Sequence, residues 1–210
     1  LTNGPSGPKS GFGTNTAQGT SAMVFSLFGK SIKTQEKELR SELSKDKFVA
    51  EFENTLGAFK IVPTVRPGKS VEFCQVEAAA CYILEEGIKQ ADAKGLIKTI
   101  KDLEAAAVFS VVAVEFMGRY WGVSESDRRA LQGIVPGVVF PRVSGKLMGS
   151  KAADVVGQCV TKGVVRYASN SNRKKFSNII SRIESDLSQF VSQRDPVYLD
   201  TFSRYMNELR

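Results

Sequence analysis

Histidine is absent from the 210 residues. The chain therefore lacks the commonest general base near neutral pH and the commonest nitrogen ligand of zinc, so imidazole-based triads are excluded. A catalytic centre would have to be assembled from Lys, Tyr, Cys or carboxylates. Cysteine is scarce as well. Cys74, Cys81 and Cys159 are too few for a disulfide framework, and their odd number suits a reducing compartment or an organelle interior rather than secretion. Cys74 and Cys81 would stand about 10 Å apart on one helix, beyond disulfide reach, so all three read as buried apolar fillers. Long hydrophobic runs are also missing. The best, residues 105–114, is closed by Glu115 and Arg119. It is about half of what a bilayer span needs, which predicts a buried core helix and no integral membrane span. No secretory signal pattern is recognisable, and the expected location is intracellular.

Familiar site motifs fail on inspection. Gly11, Phe12 and Gly13 open like a dinucleotide fingerprint, but Thr16 replaces the third glycine and no strand precedes them. Gly145 and Lys146 suggest a phosphate loop, yet Leu147 replaces the required hydroxyl residue. The cysteines lack zinc-knuckle spacing, and Glu85 and Glu86 point in different directions on a helix. Neither a cofactor nor a metal is expected, and the chain reads as non-enzymatic.

What the sequence does contain is helical periodicity behind a polar tail. Residues 1–30 hold six of the 18 glycines and two of the seven prolines, with Lys9 and Lys30 as the only charges. This composition describes an extended arm. Its apolar run Met23, Val24, Phe25, Leu27 and Phe28 is suited to docking on the body or on a partner. Residues 31–210 read as one helical domain. Leu39, Leu43, Phe48, Phe52, Leu56 and Phe59 set a first helical pattern, with a connector at 61–69 containing Pro63 and Pro67.

Ser70 is placed to cap a helix ending near Gly95, and Thr99 with Asp102 has capping-box spacing before a nearly all-apolar helix over 103–121. That helix should be central, with Glu115 and Arg119 forming a same-face ion pair. Ser124 and Asp127 predict a short helix stopping near Gly133. Pro136 and Pro141 then predict an apolar loop over 134–143. Residues 147–167 are helical by period despite Gly157 and Gly163. Phe176, Ile179, Ile180, Ile183, Leu187, Phe190 and Val191 form the clearest amphipathic seam. Asp195 and Pro196 open a last helix whose Leu199, Phe202, Met206 and Leu209 face inward. The expected fold is all-α, an irregular bundle of six or seven helices with an extended N-terminal arm.

Charge is distributed unevenly. Residues 128–183 carry 11 basic side chains against Asp154 alone, so the whole net charge of +7 originates there. Arg128, Arg129, Arg142, Lys146, Lys162, Arg166, Arg173, Lys174, Lys175 and Arg182 are the candidate contacts for an anionic partner, with Lys151 as a further member of the segment. The densest stretch, residues 170–175, is flanked by Tyr167 and Phe176, which could stack on a base or bury against a partner. The expected function is a structural or linker subunit of a larger assembly, binding acidic proteins or neighbouring subunits through the basic face and the arm. An RNA-binding coat or nucleocapsid-type protein is the alternative, and the same charge suits peripheral contact with an anionic membrane.

Overall fold

The computed structural model describes Lys37, Ser41, Arg66, residues 68–144, Leu147, and residues 149–193 and 201–210. The arm with Met23, Val24, Phe25, Leu27 and Phe28, the apolar positions Leu39, Leu43, Phe48, Phe52, Leu56 and Phe59 of the first helical pattern, Lys146, Asp195, Pro196 and Leu199 lie outside the described residues. Among the described residues the protein is all-helical, with six α-helices and no strand. These are α1 (Val71–Ala93), α2 (Ile100–Tyr120), α3 (Glu125–Val143), α4 (Ala152–Asn170), α5 (Lys174–Gln193) and α6 (Thr201–Leu209), with a 3-10 turn at Gly149–Lys151 before α4. No helix among them is long and apolar enough to cross a membrane.

The centre is α2, and its sequence dictates that. Every residue from Ala105 to Val114 is buried, so all sides of nearly three helical turns must be covered by other helices. All five of the other helices pack on it. The ten-residue apolar run is thus a buried core helix, as its length requires. The α5 seam supplies another wall: Phe176, Ile179, Ile180, Ile183, Leu187, Phe190 and Val191 are all buried. From α6, Phe202, Met206 and Leu209 reach the core, with Phe202 edge-on to Phe109 of α2 at 5.4 Å between ring centroids.

Local stop and start signals work as the sequence implies. Ser70 Oγ accepts from the Phe73 amide at 3.2 Å, capping α1. At the other end Gly95 adopts φ +67° while its amide reaches the Asp92 carbonyl, and the Leu96 amide reaches Ala91. This is the left-handed stop that a side chain with a Cβ adopts only at a cost. Ser124 Oγ accepts from the Asp127 amide and opens α3.

Two expectations are corrected. Residues 134–143 are not a loop: α3 continues through both prolines to Val143. Each proline removes one backbone hydrogen bond, but Leu131, Val135, Val139 and Phe140 keep helical spacing and are buried, which outweighs the local penalty. The expected Glu115 to Arg119 pair is also absent, because neighbouring helices supply closer partners. Glu115 of α2 meets Arg128 and Gln132 of α3, and Arg119 meets Glu184 of α5. In addition, α4 begins at Ala152, later than the periodic pattern suggests, after the 3-10 turn.

Two glycines of α4 separate packing from propensity. A Cβ on buried Gly163 would lie 2.7 Å from Ala107 Cβ and 3.0 Å from its backbone carbon, so this glycine permits the close approach of α4 to α2. Gly157 is exposed with open space around it. Gly163→Ala should therefore lose about 1–3 kcal/mol despite better helix propensity, while Gly157→Ala should gain up to about 1 kcal/mol. Urea denaturation of both variants measures this, and equal responses would contradict the packing explanation.

Asp102 ties the start of α2 to the residue after α6. Its carboxylate accepts from the amides of Lys98 at 2.7 Å and Thr99 at 2.8 Å, and faces Arg210 Nε at 2.7 Å. Burial opposes ionisation, yet the two amides, Arg210 and the Thr99 hydroxyl outweigh it and hold the carboxyl below its ordinary value of 3.8. The resulting stabilisation is complete above that ordinary value and is lost as pH falls through the lower folded one. Asp102→Asn should cost about 1–2 kcal/mol at pH 7 and flatten the acid limb of the stability curve below pH ~4. Unfolding measured from pH 7 to 2 compares the two proteins, and an unchanged acid limb would rule out this role.

Candidate functional site

Nine of the eleven members of the basic segment fall into two populations. Five of its members are held by carboxylates. Arg128 Nε meets Glu115 at 3.0 Å and its Nη1 donates to the Val123 carbonyl at 2.7 Å. Its aliphatic stem lies against Gly118, where a Cβ would come within 2.4 Å of Arg128 Cδ. Arg128 is thus a pin between α2 and α3, laid along a helix surface that glycine leaves flat. Arg129 pairs with Glu125 one turn earlier on α3. Arg142 reaches Glu85 of α1 at 2.9 Å, and Lys162 reaches Glu104 of α2 at 2.6 Å. Arg182 of α5 meets Glu208 of α6 at 2.5 Å and lies over the Tyr205 ring, 5.1 Å from its centroid.

The second population is local. Arg166, near the end of α4, and Arg173, Lys174 and Lys175, at the entry to α5, have no carboxylate partner among the described residues. Arg173, Lys174 and Lys175 are exposed and Arg166 is half-buried. A tight corner joins the two helices: the Ser171 amide bonds to the Tyr167 carbonyl, and the Arg173 amide bonds to Asn170 at 2.8 Å. Asn170 Nδ2 also donates to the Arg166 carbonyl, closing the end of α4. Lys151 is a further exposed cation, at the start of α4 and away from this corner.

The flanking aromatics face inward. Phe176 is 7% exposed and belongs to the core, and Tyr167 packs partly against it. Burial raises the Tyr167 phenol above its ordinary value, with Glu115 adding to the effect. Neither ring is presented as a stacking platform, a point that alternation of charge and aromatic residues in sequence does not reveal.

The cysteines offer no activated nucleophile. Cys74 and Cys159 are buried and Cys81 is half-buried, all as free thiols. Burial pushes each thiol upward, Cys81 to about 12, so the unreactive protonated form dominates at neutral pH. Among the described residues no group of three or more Cys, Asp or Glu side chains is arranged to hold a metal ion.

The division predicts contrasting effects of arginine removal. Arg128→Ala leaves half-buried Glu115 with Gln132 alone and should cost roughly 1–3 kcal/mol, whereas Arg173→Ala should stay within about 0.5 kcal/mol. Thermal unfolding of the two variants provides the comparison, and equal destabilisation would contradict it. No protein-family model, curated protein or solved structure matches the chain.

Proposed function

We propose that this chain is a non-enzymatic structural or linker subunit of a larger assembly, which binds an acidic partner through Arg166, Arg173, Lys174 and Lys175 at the α4–α5 corner. One observation carries the reading: the fold neutralises five cations of the basic segment with its own carboxylates and leaves this group without any among the described residues. Lys174 and Lys175 also occupy the first turn of α5, where no acidic residue offsets them and the helix dipole disfavours positive charge. An anion placed there relieves both repulsions. The apolar residues Met23, Val24, Phe25, Leu27 and Phe28 of the arm supply a second, salt-insensitive attachment in this scheme.

The RNA-binding reading uses the same cations and differs in what it needs beside them. Inward-facing Phe176 and half-buried Tyr167 favour the acidic protein, because single-stranded RNA is usually held by stacking as well as by charge.

A triple variant, Arg173→Ala, Lys174→Ala and Lys175→Ala, tests the proposal by fluorescence anisotropy with labelled polyglutamate and with oligouridylate. Binding of polyglutamate should fall by about tenfold or more at low salt, with circular dichroism unchanged. If both probes bind the parent and the variant equally, the corner has no role in anion binding. If oligouridylate binds more tightly than polyglutamate and the variant lowers its log-salt slope by up to about three, the RNA reading replaces the subunit reading.

A further inference from the structure

Next to the cationic corner, α5 and α6 enclose an open cleft of about 570 Å³ lined by Lys175, Asn178, Ile179, Ser181, Arg182 and Glu208. Lys175, Asn178 and Arg182 are spaced three and four residues apart, so they form one stripe along α5, about 10 Å from first to last. Ile179 is 3% exposed and makes an apolar floor. Both ends of the stripe are cationic, but only one is occupied. Glu208 holds Arg182 at 2.5 Å, while Lys175 has no carboxylate partner among the described residues. The pair is open to solvent, with Arg182 52% and Glu208 38% exposed, and the guanidinium also lies over the Tyr205 ring.

We propose that this cleft seats an acidic peptide segment of a partner, and that Glu208 is an internal carboxylate which occupies Arg182 until a partner carboxylate displaces it. The inference rests on the acidic-partner reading above and narrows it to a place and a chemistry. Two carboxylates about 10 Å apart satisfy Lys175 and Arg182 together. That separation corresponds to acidic residues seven apart on a helix or three apart on an extended strand. Asn178 and Ser181 between them offer hydrogen bonds to the segment's polar groups. Base stacking has no platform here, since Tyr205 is 7% exposed and covered by Arg182. Because a surface ion pair is weakly held, exchange of Glu208 for a partner's carboxylate carries little penalty. Displacement also leaves Glu208 free in solvent, so occupancy is reversible and salt-dependent.

The test uses the full chain and a labelled helical peptide with two glutamates seven residues apart, measured by anisotropy at low salt. Glu208→Gln should tighten binding by about threefold to tenfold, because Arg182 no longer has an internal competitor. Lys175→Ala should weaken it by a similar factor, and Asn178→Trp should obstruct the cleft without touching an ion pair. Circular dichroism and thermal unfolding confirm that each variant is folded, and Asn178→Trp keeps the question decidable if Glu208→Gln loosens α6. Should Arg173→Ala with Lys174→Ala weaken the peptide while the three cleft variants leave it unchanged, the corner stands and the cleft proposal is overturned. Should none of these changes alter affinity, both readings fall. If oligouridylate or phosphatidylserine vesicles show the Lys175 and Glu208 dependence and the peptide does not, the cleft recognises phosphate and the peptide assignment is wrong.

Discussion

The all-round burial of α2 is the constraint from which the rest of the structure follows. Ten consecutive buried residues admit no polar face, so α1, α3, α4, α5 and α6 must close around them. Close contact is allowed where side chains are small, as at Ala107 against Gly163, and shaped packing elsewhere fills the space. A central helix without charge in its middle also confines its charges to its ends. Asp102 and Glu104 sit at one end, and Glu115 and Arg119 at the other. These four capture Arg210, Lys162, Arg128 and Glu184 respectively. The hydrophobic constraint thereby places the carboxylates that neutralise two cations of the basic segment, Arg128 and Lys162, linking core packing to surface electrostatics.

Much of this architecture was legible because it is written in local signals. The Ser70 and Ser124 caps, the stop at Gly95 and the α5 seam each depend on residues within a few positions of one another. The second half of α3 was not legible. Pro136 and Pro141 are strong local reasons against a helix, and only the burial of Val135, Val139 and Phe140 against other helices outweighs them. The Glu115 to Arg119 pair failed for a related reason. Spacing of four residues makes a pair available, but α3 and α5 bring Arg128 and Glu184 to the same two side chains. Competition among partners is a property of the assembled bundle.

The candidate site shows the same boundary between local and non-local information. A count of charges along the chain locates the excess between residues 128 and 183 but cannot partition it. Glu85, Glu104, Glu115 and Glu208 arrive from outside that segment, and their positions are fixed only by packing. Side-chain direction is equally hidden. Phe176 beside Lys175 resembles a stacking residue in sequence, yet it opens the buried seam of α5 and so points away from the cations.

The corner between α4 and α5 stays cationic for a geometric reason. Its nearest acidic residues along the chain are Asp154 and Glu184. Asp154 lies 12 helical residues before Arg166, roughly 18 Å along α4, and Glu184 lies nine after Lys175, roughly 13 Å along α5. Both separations exceed the ~8 Å screening length at physiological ionic strength, and Glu184 is already engaged by Arg119. Neutralisation by neighbouring turns of the same two helices is therefore negligible. A short connection keeps the cations together, since Ser171 and Asn172 alone separate the end of α4 from Arg173. With apolar seams holding both helices to the core, the positive charge cannot be relieved by turning either one.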